Sequence, residues 1–237
     1  MPARRSCCVR SLPMSSSVAP APVWTVVVAG GAGTRFGGPK QYVVLAGRRA
    51  IDWSVAAARS VSDGVVVVVP PDVATAGGDG IDGADVVVAG GDTRSASVRN
   101  GLAAVPGAAS VVLVHDAARP AASAALFQAV VDAVRRGAQA VVPGVDVTDS
   151  LRRRGGGAID RDELVAVQTP QGFSAEVLRA AHASGADGTD DASVAEAHGA
   201  RVVVIPGEAT NIKLTHPADR DALEATLSAR LERGATA

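Results

Sequence analysis

The stretch VVVAGGAGTRFGGPKQ, residues 26–41, decides the fold. An apolar run ends abruptly in a loop that holds five glycines together with Arg35 and Lys40. A buried strand opening into such a loop presents backbone N–H groups to an anion. Glycine lets the main chain approach phosphate oxygens closely, because no Cβ intervenes. Arg35 and Lys40 add full positive charges where a triphosphate would lie. Neither common phosphate fingerprint fits. The dinucleotide pattern needs glycine at its first, third and sixth positions. Gly31 and Gly33 comply, and Phe36 does not. A Walker loop needs Gly-Lys followed by Ser or Thr, whereas Pro39 precedes Lys40 and Gln41 follows it. A turn that merely closed a strand would use the glycines but would have no need of the two cations.

Outward from this loop, apolar runs alternate with helically spaced stretches. WTVVVAG (24–30), VVVVV (65–69), DVVVAG (85–90), VVLVH (111–115) and AQAVVPG (138–144) read as strands. AIDWSVAAARS (50–60), TRSASVRNGLAAV (93–105) and ASAALFQAVVDAVRRG (122–137) read as helices, the last closed by Gly137. This alternation predicts an α/β fold with a doubly wound, mostly parallel sheet. Ligands of such sheets lie beyond the C-terminal ends of the strands, where the glycine loop falls. Residues 147–168 interrupt the pattern with polar strand-like pieces around Gly155–Gly157 and predict a projecting β-hairpin arm. Such an arm buries little surface alone, so a second copy of the chain is the simplest partner. Beyond it the sequence predicts helices at 174–184 and near 191–198, strands RVVVI (201–205) and NIKLT (211–215), and a terminal helix at 217–232.

Residues 1–22 are basic, then rich in Ser, Ala and Pro, and predict a disordered extension ahead of one domain at 23–237. Met14 is an alternative start. A formal net charge of −1 predicts no strong attraction to nucleic acid or membranes. No apolar run approaches the ~20 residues needed to span a bilayer. The only cysteines, Cys7 and Cys8, are adjacent, which gives no disulfide framework and fits a reducing, cytoplasmic setting. Without a Cys/His ligand set, no structural zinc site is expected.

Other polar constellations fall on the same sheet edge. In HDAARP (115–120), Asp116 can accept hydrogen bonds from hydroxyls and Arg119 can clamp a phosphate, or the two can form a local ion pair. In GGDTRSAS (90–97), Gly91, Asp92 and Ser97 can read a base edge, while Asp92 also suits a helix N-cap, the reading that spacing alone favours. QTPQGF (168–173) and TDDAS (189–193) read as polar loops leading into helices. Lys213 stands in the apolar run NIKLT and calls for a charged partner or a phosphate.

Taken in order, AGGAGTRFGGPKQY, GGDTRSASV, VHDAARP, VQTPQGF, TDDAS and NIKLT resemble the 2-C-methyl-D-erythritol 4-phosphate cytidylyltransferases of the non-mevalonate isoprenoid pathway, over about residues 24–232. The resemblance implies that Ala29, Gly30, Gly31 and Gly33 line a CTP loop and that Gly91, Asp92 and Ser97 contact cytosine. It implies that Arg35, Lys40 and Lys213 stabilise charge at the reacting phosphorus. Asp116, Arg119, Ser150, Thr169 and, from a neighbouring subunit of a homodimer, Arg161 would bind the methylerythritol phosphate. Ser150 stands where the family often has threonine, keeping the hydroxyl without the methyl. The implied cofactor is Mg²⁺ held mainly by the CTP phosphates, with no metal-ligating residue in the protein. The implied reaction transfers CMP to the acceptor and releases pyrophosphate. Two other readings are a cytidylyltransferase for another polyol phosphate, such as ribitol 5-phosphate, and a non-catalytic nucleotide-binding protein.

Overall fold

A computed structural model describes residues 21–77 and 80–235, so nearly all of the expected N-terminal extension, with Cys7, Cys8 and Met14, lies outside the described residues. The chain begins with β1 (Val23–Val28) and the glycine loop. A small hairpin of β2 (Val44–Leu45) and β3 (Arg48–Arg49) follows, then α1 (Ala50–Arg59), β4 (Gly64–Val69) and a short α2 (Pro71–Thr75). Next come β5 (Val86–Ala89), α3 (Arg94–Ala104), β6 (Val111–Asp116), α4 (Ala124–Arg135) and β7 (Ala140–Asp146). The second half holds β8 (Leu151–Arg152), β9 (Ala158–Ile159), β10 (Val165–Val167), β11 (Gln171–Ser174), α5 (Ala175–Ala183), α6 (Asp191–Ala197), β12 (Val202–Pro206) and α7 (Asp219–Ala235).

The main sheet runs β10-β7-β11-β6-β1-β4-β5, with β12 also on β7. Pairing is parallel for β6-β1-β4-β5 and for β7 with β12, and antiparallel where β10 and β11 meet their neighbours. Period-two alternation distributes the valines of β4 between two cores. Val65, Val67 and Val69 pack beneath α1 and α4 with Ile51 and Phe127, while Val66 and Val68 pack beneath α3 and α5 with Val98 and Leu178. A strand buried on both faces reads as a continuous apolar run, which is why VVVVV was legible. A third apolar cluster lies outside the sheet. Leu45, Trp53, Ala118 and Leu214 meet Leu223 and Leu227 of α7 there, with Phe36 and Ile212 against them. Among the described residues no helix is long and apolar enough to cross a membrane.

Three expectations need correction. The two-stranded hairpin is confined to β8 and β9, and the far end of the expected 147–168 arm returns as β10, an edge partner of β7 from Gly144 to Asp146. NIKLT is not a strand: its backbone makes single bonds instead of a ladder, Asn211 N to the nearby Glu208 carbonyl and Leu214 N to the distant Ala118 carbonyl at 2.8 Å, and its leucine packs against α7 instead of another strand. QGFS, expected within a polar loop, is the buried strand β11 between β6 and β7. Gly172 hides its strand character, yet a Cβ there would stand 2.3 Å from Val130 of α4.

Candidate active site

The C-terminal ends of β1, β5 and β6 converge on a cleft of about 420 Å³, lined by Ala29, Gly30, Gly31, Lys40, Gly91, Asp92, Arg94, Ser97, Asp116 and Lys213, among others. The glycine loop holds its shape through Gly33, whose φ is +66°. The Gly33 carbonyl accepts from the N–H groups of Phe36 at 2.9 Å, Gly37 at 3.0 Å and Gly38 at 3.3 Å. A Cβ on Gly33 would lie 1.8 Å from the Gly38 carbonyl oxygen. Gly33 therefore shapes the loop, while Ala29, Gly30 and Gly31 face the cleft. Lys40 lies in the wall, and burial, reinforced by the positive charge of Lys213, lowers its pKa. Arg35 is exposed and is not in the wall, although its charge reaches Lys40.

On the opposite wall Gly91 N donates to Ser97 Oγ at 3.1 Å. A Cβ on Gly91 would meet Ala96 Cβ at 2.6 Å, so glycine is required for this close approach. The N-cap of α3 is Thr93, whose hydroxyl accepts from Ala96 N at 3.0 Å. This corrects the capping reading of Asp92. One position too early to cap, its exposed carboxylate lies in the cleft wall.

Asp116 ends β6 and is the electrostatic centre. Lys213 Nζ donates to its Oδ2 at 2.5 Å, and Arg94 Nη2 and Nε lie 3.3 and 3.4 Å from its Oδ1. Burial works against the charged carboxylate, but Arg94 and Lys213 hold its pKa far below the usual carboxylate range. Thr169 Oγ1 accepts from Asp116 N at 3.0 Å and lies 3.1 Å from His115 Nδ1. Burial pushes the pKa of the His115 imidazole down to about 3, so the ring is neutral at pH 7 and supplies packing, 4.8 Å from Phe127.

Arg94, Asp116 and Lys213 also wall a second cleft of about 230 Å³, which includes Arg119, Gln168, Thr169 and Thr189. Arg119 lines this cleft and also ties two segments together. Its Nη1 donates to the Asn211 carbonyl at 2.7 Å and its Nη2 to the Val167 carbonyl at 3.2 Å, tying the Lys213 segment to β10. Burial lowers its pKa, against the opposing pull of Asp116. Ser150 and Arg161 are exposed and lie in neither cleft wall; Arg161 donates to the Thr148 carbonyl near the hairpin.

Sequence reasoning missed Arg94 and Asp191. Arg94 Nη1 donates to Asp191 Oδ2 at 2.7 Å, and Asp191 Oδ1 lies 3.1 Å from His182 Nε2. The signal was present, since both residues stand inside quoted motifs, but no local spacing links α3 to α6. Among the described residues no group of three or more His, Cys, Asp or Glu could hold a metal ion.

The sequence matches the family profile of IspD, 2-C-methyl-D-erythritol 4-phosphate cytidylyltransferase, over residues 23–229. It is 42% identical to the 2-C-methyl-D-erythritol 4-phosphate cytidylyltransferase of Streptomyces coelicolor, covering 89% of this chain and 87% of that protein. It is 43% identical to the bifunctional enzyme IspD/IspF of Clavibacter michiganensis, covering 88% of this chain but only 57% of that protein. The chain thus spans little more than half the length of the bifunctional relatives it matches. Its fold superposes on the Thermus thermophilus 2-C-methyl-D-erythritol 4-phosphate cytidylyltransferase with a TM-score of 0.73 at 37% identity, covering 85% of this chain and 97% of that one. Fold, motif order and these likenesses agree that the chain belongs to the IspD family of 2-C-methyl-D-erythritol 4-phosphate cytidylyltransferases.

Proposed function

We propose that this chain transfers CMP from CTP to 2-C-methyl-D-erythritol 4-phosphate, giving 4-diphosphocytidyl-2-C-methyl-D-erythritol and pyrophosphate, in isoprenoid precursor synthesis. The observation that carries the reading is the wall shared by the two clefts. A glycine-lined cleft suited to a nucleotide meets a smaller polar cleft suited to a polyol phosphate across Arg94, Asp116 and Lys213. An oxygen of the acceptor phosphate forms a bond to the α-phosphorus while the bond to the bridging oxygen breaks, and that electron pair leaves with pyrophosphate. The attacking phosphate is already ionised, so no general base is required, and the neutral, buried His115 is consistent with that. Gly91, Asp92 and Ser97 hold the cytosine, and the glycine loop approaches the phosphates. Lys40 and Lys213 offset negative charge as it shifts toward the leaving group, a task of positioning and electrostatics.

Of the three carboxylates in the two clefts, Asp116 is engaged by Arg94 and Lys213, Asp190 accepts from Gln171 Nε2 and Ser193 N, and Asp92 has no ion pair among the described residues. Such a wall fits Mg²⁺ coordinated mainly by phosphate oxygens, with at most Asp92 added. When bound, the ion would supply charge neutralisation and orient the leaving pyrophosphate.

The working form in this reading is a cytoplasmic homodimer. Leu164, Val165 and Val167 expose apolar side chains at and beside β10, next to the hairpin, which suits a partner's surface. Arg161 then contributes to the acceptor site of the neighbouring subunit. Pyrophosphate release measured with each of the four nucleoside triphosphates against a panel of polyol phosphates tests the assignment. CTP with methylerythritol phosphate should dominate. Equal turnover with ATP or GTP, or faster turnover with ribitol 5-phosphate, overturns it.

A further inference from the structure

We infer that Arg94 is a positioning residue for this reaction: anchored on the buried Asp191–His182 pair, it holds the Asp116 carboxylate so that Lys213 stays at the boundary between the two clefts. The inference rests on the cytidylyltransferase reading and extends it to Arg94, which walls both clefts, and to an anchor, Asp191, that lines neither and reaches the reaction only through Arg94.

Three observations carry it. First, Arg94 is the opening residue of α3. A cation there opposes the positive end of the helix dipole, so the local chain gives no reason for arginine. Its reason is tertiary. One planar guanidinium spans two carboxylates from different elements, Asp116 at the end of β6 and Asp191 at the start of α6. A lysine, a point charge without the fork, would not make that bridge. Burial opposes the guanidinium's charge, and Asp191 followed by Asp116 raises its pKa above the ordinary arginine value.

Second, the anchor is fixed. Asp191 is fully buried, receives Arg94 on one oxygen and faces the buried His182 on the other. It sits at the favourable end of α6, behind the capping box of Asp190 and Ser193. Asp191 lines neither cleft, so a change there reaches substrate only through its neighbours.

Third, the far end of the bridge is the less constrained one. The Lys213 side chain is 38% exposed against 13% for Asp116, and its Nζ is given one carboxylate partner. Without Arg94, Asp116 keeps Lys213 as its close cationic hydrogen-bond partner. The carboxylate is then free to turn toward that lysine and draw it off the boundary. The groups facing Asp116 are Arg94 from α3, Lys213 from its loop and, by its charge, Arg119.

The test is a double-mutant cycle on Arg94→Gln and Asp191→Asn, with Arg94→Lys beside it. Readouts are kcat, KM for both substrates, and the CTP-binding stoichiometry of each preparation. Arg94→Gln should lower kcat by roughly tenfold to a hundredfold, as misplacement of about 1 Å can do. Asp191→Asn, nearly isosteric and remote from substrate, should lower kcat by about threefold to tenfold, and the double variant should lose little beyond Arg94→Gln, because coupled groups are non-additive. Arg94→Lys should recover only part of the loss. Stoichiometric CTP binding in variants with reduced kcat supports positioning. A kcat loss that merely matches a loss of CTP-binding sites overturns it, as does additivity in the cycle or full activity in Arg94→Lys. If Arg94→Gln does not fold, Asp191→Asn alone decides by the same kcat and stoichiometry criteria. A wild-type chain that fails to turn over CTP with the acceptor sinks the cytidylyltransferase reading and this inference together. An active wild type with native-like variants sinks this inference alone.

Discussion

Replacing Gly33 by alanine should damage both catalysis and stability. The residue has φ +66°, in the left-handed region, which costs an alanine roughly 1–2 kcal/mol. The larger effect is steric. The new Cβ would lie 1.8 Å from the Gly38 carbonyl oxygen, against the 3.0 Å that real Cβ contacts respect, so the loop must open by about 1.2 Å. The obstacle is backbone, and no side-chain rotation relieves it. Opening breaks the convergence of three N–H groups on the Gly33 carbonyl and shifts the approach to Lys40. A displacement of about 1 Å at a phosphate-binding loop is worth on the order of a hundredfold in rate. We therefore expect kcat/KM for CTP to fall about a hundredfold, with a loss in urea unfolding that exceeds the roughly 1–2 kcal/mol of the backbone conformation alone. Gly38→Ala is the matched control: its Cβ would meet nothing within 4 Å and its φ is not positive, so it should stay within about threefold of the parent. Gly33→Ala with near-native kcat/KM, or a Gly38→Ala variant equally impaired, would refute the reasoning.

Lys40→Ala should reduce kcat by roughly a hundredfold or more, the loss expected of a preorganised charge at a reacting phosphate, whereas Arg35→Ala, outside the cleft wall, should lose less; steady-state kinetics on both variants decide. His115 has a folded pKa of about 3, below its unfolded value, so its contribution to stability is complete above about pH 6.5 and is lost as pH falls toward 3. Unfolding free energies from urea titrations at pH 7 and pH 4.5 should therefore differ by about 2–3 kcal/mol from this group, and His115→Gln should narrow the gap; an unchanged gap contradicts the assignment. Mixing Arg161→Ala subunits with Lys40→Ala subunits should restore partial activity if Arg161 serves the neighbouring site, and heterodimers that form without regaining activity would place Arg161 outside the partner's site.

The parallel core and the glycine loop were legible because both are local. Continuous valine runs with flanking turn residues favour strands, fully buried in β4 and β6 and half-buried in β5, and glycines beside two cations have few other uses. The alternation also gave the sheet edge on which Asp116, Ser97 and Lys213 assemble. What stayed hidden was non-local. β11 is short, polar at its start and interrupted by Gly172, and only its place between β6 and β7 makes it a strand. NIKLT has strand-like alternation, yet Ile212 and Leu214 pack against a helix-bound cluster and no strand pairs with them. Nothing nearby in sequence announces that Arg119, while lining the second cleft, also donates to the carbonyls of Val167 and Asn211. The bridge from Asp191 to Asp116 likewise joins residues 75 positions apart through an arginine from a third element.

The apolar cluster that joins Phe36, Trp53 and Leu214 to Leu223 and Leu227 has a consequence for the order of assembly. During synthesis the amino-terminal part of a chain emerges first. The sheet, the glycine loop and Asp116 therefore emerge before the residues that fasten Lys213. The backbone beside Lys213 is secured by Leu214 inside this cluster, and α7 closes the cluster last, Glu224 reaching back to the Ala46 N–H across 178 positions. The glycine-loop wall of the cleft is thus synthesised before the residues that anchor the boundary lysine. In the proposed reaction, the boundary lysine is held in place only once α7 has docked.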